Sequence, residues 1–334
     1  MATLSDVAAR AGVSVSAVSR VLSNDPASRV SDETRDRIRL AATEVGYRPN
    51  FAGRALKLAR TEVLALVVPD VTNALFAELT RGVEDAAISR GYTVLLGRSE
   101  DMQPGGVMFD RLLGEGRVDG VILQPRDGQD LVELAGILTH EAPVVTIHER
   151  VEATSSVLIP DADASRIAVD HLVELGHTRI GFIGGLSNSS TARRRAEGYR
   201  EALAAAGGTL DPDLITWIGY RPEDGRAALD QLLDLAAPPT AVVVANVNAA
   251  IGVLAQARAR NLRVPEDLSV VAIHDAWTAE HTWPPLSCVR MPLYELGRTA
   301  VGALVSAIAG GEEQHLLIET PQPRLVIRAS TSAV

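Results

Sequence analysis

The sequence predicts a small all-α unit at the N-terminus, followed by an α/β body built on two doubly wound parallel sheets. Two patterns favour this fold class. Apolar residues recur at helical spacing through residues 4–45, whereas from Glu62 onward short Val/Ile/Leu runs alternate with helix-length segments. The chain has 334 residues, of which 46% are hydrophobic. That length and composition suit two or three packed units and exclude a disordered chain.

The first 48 residues predict three short helices. Gly12 ends the first, Ser14 is a suitable N-cap for the second, and the third follows Ser31 and ends near Gly46. Two short helices joined by a glycine turn make a helix-turn-helix, and the third can close a small core. The residues expected to face that core are Leu4, Val7, Ala8, Ala11, Val18, Val21, Leu22, Ile38, Ala41, Ala42 and Val45.

The formal net charge of −10 is distributed unevenly along the chain. Residues 1–60 carry ten basic and six acidic side chains, a net charge of +4, so that −14 remains for the rest. A basic head on an acidic body is typical of a polyanion-binding unit joined to a body with another task. A chance fluctuation of charge is the alternative explanation.

The outward side of the second predicted helix suits the major groove of DNA, because its side chains are short and end in an arginine. Its residues are Val15, Ser16, Ser19 and Arg20. Arg20 can pair with guanine or bind a phosphate. The hydroxyls of Thr3, Ser14 and Ser19, with the amide groups at helix starts, are of the type that holds a phosphate backbone in register. A neutral three-helix packing module is the alternative, and the basic charge of the head favours DNA.

The apolar runs of the body predict buried parallel strands covered by helices on both faces. The runs lie at 63–68, 93–96, 118–123, 143–147, 179–183, 241–245 and 268–273. The body has no GxGxxG after its first strand, no GxxxxGK[ST], no GxSxG and no HExxH, and its histidines are scattered. We therefore expect no enzyme, no cofactor and no metal site, and the missing glycine motif disfavours a Rossmann-type oxidoreductase.

Cellular location is predicted from the cysteine count and the N-terminus. The single cysteine, Cys288, cannot form an internal disulfide, and the chain shows neither a signal segment nor an apolar run near twenty residues. The expectation is a cytoplasmic protein without a membrane anchor. A small-molecule-binding protein of the periplasmic type is the rival hypothesis, and it would need an export signal and no basic head.

The head resembles that of the lactose-repressor (LacI/GalR) family of bacterial transcription regulators. The resemblance rests on TLSDVAARAGVSVSAVSRVLSN, VSDETRDRI and GYRPNFAGRALKLARTEVLALVVPD. It implies that Val15, Ser16 and Arg20 read operator bases. It also implies a hinge helix at residues 50–58, with Asn50, Arg54 and Leu56 as DNA contacts, where Leu56 wedges into the minor groove. The implied domains are 1–48 for the head, 49–60 for the hinge and 61–334 for effector binding and dimerisation.

The family resemblance continues through VDGVIL, HLVELGHTRIGFIGG, RRRAEGYREAL, NLRVPEDLSVVAIHD and ELGRTAVGALVSAI. It implies a periplasmic-binding-protein-like body of two lobes, about 61–160 plus 291–322 and about 161–290 plus 323–334, with a ligand in the cleft between them. The implied effector-binding residues are Leu75, Phe76, Gln124, His148, Arg195, Tyr220, Asn246 and His274. Each has a structural alternative, such as an arginine that only bridges the lobes.

Four departures from the family pattern concern this cleft. Val247 stands where an Asp usually follows Asn246, and Pro160 lies in the segment that usually reads Asp-Asn. His148 and His274 stand where family members often have aspartates that bind sugar hydroxyls. With Arg195 kept, the sequence suggests a less negative cleft and an effector with an anionic group, bound through these three residues. The alternatives are that the histidines face away or that the site no longer binds a ligand.

The resemblance implies a homodimeric regulator, most simply a repressor. It would bind a pseudo-palindromic operator in double-stranded DNA and respond to a small-molecule effector, a carbohydrate or a derivative of one. Because the chain has no terminal leucine heptad, we expect a dimer rather than a tetramer. Whether the effector induces or corepresses is not encoded in any motif.

Overall fold

The computed structural model describes residues 2–23, 29–48, 55, 60–71, 73–101, 109–138 and 142–334. Within 109–138, the side chains are described up to residue 135. The chain divides into two compact units, Met1–Thr61 and Glu62–Val334. No helix among the described residues is long and apolar enough to cross a membrane.

The first unit contains three helices, α1 (Leu4–Ala11), α2 (Val15–Leu22) and α3 (Asp32–Glu44). Gly12 ends α1 in the left-handed region at φ 65°, which glycine adopts without strain. Hydroxyls cap all three N-termini: those of Thr3, Ser14 and Ser31 each accept a backbone N–H three residues on. The predicted glycine turn and N-caps are confirmed.

The core of the first unit is made of small and branched apolar side chains. Its buried members are Val7, Ala8, Ala11, Val18, Val21, Ile38, Ala41 and Ala42. Leu4, Leu22 and Val45, which were also expected to face the core, are half-buried at its edge. The helical spacing of apolar residues thus predicted this core, because one stripe per helix is what a three-helix unit can bury.

The second unit has two six-stranded sheets, each of which defines a lobe. The first lobe has the strand order β11-β5-β4-β3-β1-β2 and is parallel throughout. Its strands are β1 (Val63–Val68), β2 (Thr93–Arg98), β3 (Gly120–Leu123), β4 (Val144–Ile147), β5 (Ser155–Leu158) and β11 (His315–Leu317). Its helices are α4 (Phe76–Ile88), α5 (Leu131–Leu138) and α11 (Leu293–Ile308), with a short π-helix at Asp110–Gly114.

The second lobe has the strand order β12-β10-β9-β8-β6-β7, parallel except for the antiparallel pair of β10 with β12. Its strands are β6 (Ile180–Gly184), β7 (Ile215–Trp217), β8 (Ala241–Val244), β9 (Ser269–Ile273), β10 (Ser287–Arg290) and β12 (Arg324–Val326). Its helices are α6 (Asp161–Glu174), α7 (Ser190–Ala205), α8 (Pro222–Leu233), α9 (Val247–Ala259) and the one-turn α10 (Trp277–Glu280). The fold class predicted for the body is confirmed.

The helices α6 and α7 pack closely enough to bring their N-terminal residues together. A Cβ on Gly198 in α7 would lie 2.1 Å from the carbonyl oxygen of Ala162 in α6, so only glycine fits there. This close approach places Asp161, the first residue of α6, beside Arg194 and Arg195 of α7. These three residues form the centre of the site described below.

Candidate functional site

The exposed face of α2 carries the residues predicted to read DNA. Val15 is 43% exposed although it is apolar, and Ser16 and Arg20 are exposed on the same helix, while Ser19 is half-buried. Arg20 makes no ion pair with any residue that the structure describes. An exposed helix of short side chains and an available guanidinium meets the steric and charge requirements of a major-groove helix.

Thr3 and Ser14 both cap helix N-termini, and the sequence predicted this role for Ser14. Thr3 Oγ1 donates to Asp6 Oδ2 at 2.9 Å and accepts from the Asp6 amide, and its own amide donates to the same carboxylate. Ser14 Oγ accepts from the Ala17 amide at 3.2 Å. Both hydroxyls therefore fix helix starts, and their phosphate contacts stay predictions. Asn50, Arg54 and Leu56 of the predicted hinge lie outside the described residues.

In the body, four of the predicted effector residues follow the carboxyl ends of central strands. Gln124 follows β3, His148 follows β4, Asn246 lies two residues beyond β8, and His274 follows β9. Carboxyl ends of parallel strands form the usual ligand-binding edge of such sheets. The two histidines interact electrostatically with each other and with Arg195, so that both lobes contribute to one cluster. His148, Arg195 and His274 are called the histidine cluster below.

Arg195 is the centre of this cluster and is 2% exposed. Its Nε donates to Asp161 Oδ1 at 2.9 Å, its Nη1 to the Ala245 carbonyl at 2.5 Å, and its Nη2 to His274 Nε2 at 2.7 Å. Every nitrogen of the guanidinium thus has a protein partner. Asp161 compensates the charge of Arg195, and a contact of Arg195 with a ligand stays a prediction.

Asp161 is the functional residue that sequence reasoning missed. Its Oδ2 also accepts from Arg194 Nε at 3.2 Å and Arg194 Nη2 at 2.8 Å. Burial raises the pKa of this carboxyl, but Arg195 and Arg194 outweigh burial and hold the pKa below its usual value. The sequence carries one signal for this residue: an acidic residue begins one predicted helix, and three consecutive arginines lie near the start of the next.

Two hydrogen bonds tie the cluster across the lobes. Arg194 Nη2 donates to the His148 carbonyl at 2.8 Å, and Glu149 Oε1 accepts from the Ser190 amide at 3.2 Å. Ser190 is the first residue of α7, where a carboxylate is favoured by the helix dipole. The N-terminal end of α7 in the second lobe is therefore fastened to the loop after β4 in the first lobe.

His148 and His274 are buried and adopt left-handed backbone conformations, with φ 64° and 68°. Burial lowers the pKa of His148 to about 4, against the attraction of Asp161 and together with repulsion from Arg195 and Arg194. Burial and Arg195 lower the pKa of His274 well below its usual value. Both imidazoles are therefore neutral at physiological pH, and the Nδ1 atom of each has no hydrogen-bond partner in the described structure.

Asn246 is hydrogen-bonded to the backbone of Tyr220 beside the cluster. Asn246 Oδ1 accepts from the Ala249 amide at 2.7 Å and caps α9, while its Nδ2 donates to the Tyr220 carbonyl at 3.1 Å. The Tyr220 ring packs on Gly185, where a Cβ would lie 2.0 Å from the ring. Burial raises the pKa of Tyr220 to about 12, so the phenol is neutral. Both polar atoms of the Asn246 side chain thus have hydrogen-bond partners within the protein.

Leu75 and Phe76 lie apart from these contacts. Phe76 is buried in the apolar core, and Leu75 lines a groove of about 680 Å³ whose lining includes Arg81, Trp277 and Tyr294 but no residue of the histidine cluster. Among the described residues no group of three or more His, Cys, Asp or Glu side chains is arranged to hold a metal ion.

Comparison with known proteins agrees with this architecture. Residues 3–50 match the family described as bacterial regulatory proteins, lacI family, and residues 169–331 match a periplasmic binding protein-like domain. The chain is 36% identical over 340 residues to the HTH-type transcriptional repressor CytR of Escherichia coli (strain K12), covering 100% of this chain and 97% of the relative.

Two solved structures show the same fold. A LacI family transcriptional regulator from Mycobacterium smegmatis is 42% identical, with a TM-score of 0.75, over 81% of this chain and 99% of that one. The lac repressor dimer bound to operator and the anti-inducer ONPF is 27% identical, with a TM-score of 0.81, over 99% of both chains. The chain belongs to the lacI family of bacterial regulatory proteins and is a DNA-binding transcription regulator with an effector-binding domain.

Proposed function

We propose that this regulator is a homodimeric repressor, which binds a pseudo-palindromic operator in double-stranded DNA and changes its operator affinity when a small molecule binds between the lobes. The observation that carries the proposal is the pairing of two features: an exposed DNA-reading face on α2, and a buried polar cluster to which both lobes contribute. The relatives CytR and PurR are named as repressors, which supports this direction of control.

Dimerisation is supported by apolar side chains that lie on the surface of the second unit. The edge strand β2 exposes Leu95 by 45% and Leu96 by 53%, and Trp277 and Trp283 of the second lobe are still more exposed. Exposed large apolar residues on a sheet edge favour a protein partner. A two-fold dimer binds a two-fold operator, and the lac repressor relative is described as a dimer on its operator.

The effector is proposed to be a carbohydrate or a compound of similar size and polarity. Its site is the histidine cluster together with Gln124 and Tyr220, at the carboxyl ends of the strands. Because Arg194 and Glu149 join the lobes at this cluster, a ligand that alters their contacts changes the relation of the lobes. A regulator that acts on chromosomal DNA works in the bacterial cytoplasm.

Fluorescence anisotropy tests the function directly. Palindromic duplexes are selected by the full-length protein from a random library and compared with scrambled duplexes of the same composition. We expect tighter binding to the selected sequence, a strong weakening with salt and a stoichiometry of two chains per duplex. One chain per palindrome, or equal affinity for both duplexes, would refute the proposal.

A further inference from the structure

Three buried polar atoms in the proposed effector site have no hydrogen-bond partner. They are Nδ1 of His148, Nδ1 of His274 and Oε1 of Gln124. Buried polar atoms in folded proteins are nearly always satisfied, so an unsatisfied group invites a specific explanation. All three residues follow directly on central strands, at the ligand-binding edge of the two sheets. A bound molecule that completes these hydrogen bonds is the simplest explanation.

The proton position on His274 follows from its neighbour. Arg195 Nη2 lies 2.7 Å from His274 Nε2, and a guanidinium only donates hydrogen bonds, so Nε2 must accept. A neutral imidazole that accepts at Nε2 carries its proton at Nδ1. A doubly protonated ring would place an N–H against the Arg195 donor. His274 therefore presents an Nδ1–H that is buried and lacks an acceptor.

The charges around this donor are already compensated by the protein. Arg194 and Arg195 bind Asp161, and Glu149 accepts from the start of α7 close by. Asp275, which follows His274, is paired with Arg290 and Arg328. Asp127 interacts electrostatically with Arg195 as well, so carboxylates compensate the two guanidiniums of the cluster. This compensation favours an uncharged effector over the anionic one that the sequence suggested.

We propose that Arg195 fixes His274 as a hydrogen-bond donor that determines effector specificity, and that the effector is an uncharged molecule with an acceptor for this donor. The inference rests on the proposed function, since it concerns the same site. Suitable acceptors are a hydroxyl, a carbonyl or an unprotonated ring nitrogen. The same molecule offers an O–H or N–H to Gln124 Oε1. His274 is thus a ligand-reading residue, and Arg195 is a positioning residue that acts through it.

Nitrogen NMR tests the proton position without any ligand. Long-range 15N–1H spectra of the full-length protein, labelled with 15N-histidine, distinguish the two neutral tautomers and the imidazolium. The His274 signals are assigned by their loss in His274→Asn. At pH 7 we expect a protonated Nδ1 and an unprotonated Nε2. A protonated Nε2, in either the other tautomer or the imidazolium, would overturn the proposal.

A matched pair of variants tests the donor itself. Asn and Asp are similar in size and tolerate the left-handed backbone at position 274. In His274→Asn, the oxygen can accept from Arg195 while the amide N–H keeps the donor; in His274→Asp the donor is lost. Far-ultraviolet circular dichroism and urea denaturation of both variants, measured beside wild type, establish that they fold.

The ligands are two matched pairs: glucose with glucose 6-phosphate, and uridine with uridine 5′-monophosphate, each measured by thermal shift and calorimetry. We expect a neutral member to bind wild type and His274→Asn, and His274→Asp to bind it about tenfold more weakly or worse. Binding of phosphate esters alone, binding of no neutral member, or equal affinity of the two variants would contradict the inference. If operator binding itself fails in wild type, the proposed function fails instead.

Discussion

Asp161 and Arg195 form a buried ion pair, with 2.8 Å between Asp161 Oδ1 and Arg195 Nη2 and side chains that are 0% and 3% exposed. The pair joins the start of α6 to α7, and Arg195 continues to His274 at the end of β9. Because Arg194 extends from the same carboxylate to the His148 carbonyl, one acidic residue organises contacts within and between the lobes.

Substitution of this carboxylate should be severely destabilising. Asp161→Asn leaves two guanidiniums around a neutral amide, one of them fully buried, and we expect the free energy of unfolding to fall by about 3–5 kcal/mol. Urea denaturation, followed by the fluorescence of the three tryptophans, all of which lie in the second lobe, measures this loss. Asp163→Asn is the matched control on the same helix, because its pair with Arg166 is solvent-exposed and contributes about 0–1 kcal/mol. Similar losses in both variants would contradict the account.

Stability should fall on acidification because of His148. Its pKa is lowered from 6.5 to about 4 in the folded protein, so between these values the unfolded chain binds more protons than the folded one. The stabilisation is present above pH 6.5 and is lost as the pH falls toward 4, by roughly 3 kcal/mol in total. His274 acts in the same direction.

His148→Asn removes this titration and suits the left-handed backbone at φ 64°. Urea denaturation at intervals from pH 7 to pH 4.5 should show a steeper loss of stability in wild type than in the variant. If the two pH profiles run parallel, the burial of a neutral imidazole at position 148 is not the cause.

Arg20 should specify a base. Arg20→Ala is expected to weaken binding to the selected operator by about 1–3 kcal/mol and to relax the preference at one base pair of each half-site. Anisotropy titrations against operators with all single base changes measure this. Arg10→Ala is the control, because Arg10 in α1 is held by Glu44 in α3 and lies outside the proposed reading face. A uniform loss over all operators would assign Arg20 to a phosphate.

The cap of α2 should stabilise the DNA-binding unit. Ser14→Ala removes the hydrogen bond to the Ala17 amide, and we expect the first unit to lose about 1 kcal/mol of unfolding free energy. Ser16→Ala changes an exposed serine within the helix and should leave this stability unchanged or slightly raised. Thermal melting followed by far-ultraviolet circular dichroism compares the two, and equal melting curves would argue against the cap.

The sequence predicted elements whose pattern is local. The run at 63–68 matches β1, and Gly12 and Ser14 end and begin helices as expected, since caps and apolar stripes are determined within a few residues. The short strands β5, β7, β10, β11 and β12 were not predicted. They have three or four residues, and β5 reads SSVL, so none of them forms a long apolar run.

The site was harder to predict than the fold because its contacts join distant parts of the chain. His148, Arg195 and His274 were identified from the family resemblance, but the partners of Arg195 were not. Asp161 lies 34 residues before Arg195, and His274 lies 79 residues after it. Only the packing of α6 on α7, with glycine at position 198, shows that a carboxylate neutralises this arginine.

We expect this chain to bind DNA sequence-specifically and to be controlled from the histidine cluster. The most direct test is one anisotropy titration of the full-length protein on its selected operator, with and without the neutral compound that stabilises it most. Specific binding should shift its midpoint at least fivefold with the compound, which is the lower end of typical allosteric coupling. An unchanged midpoint at saturating compound would contradict it.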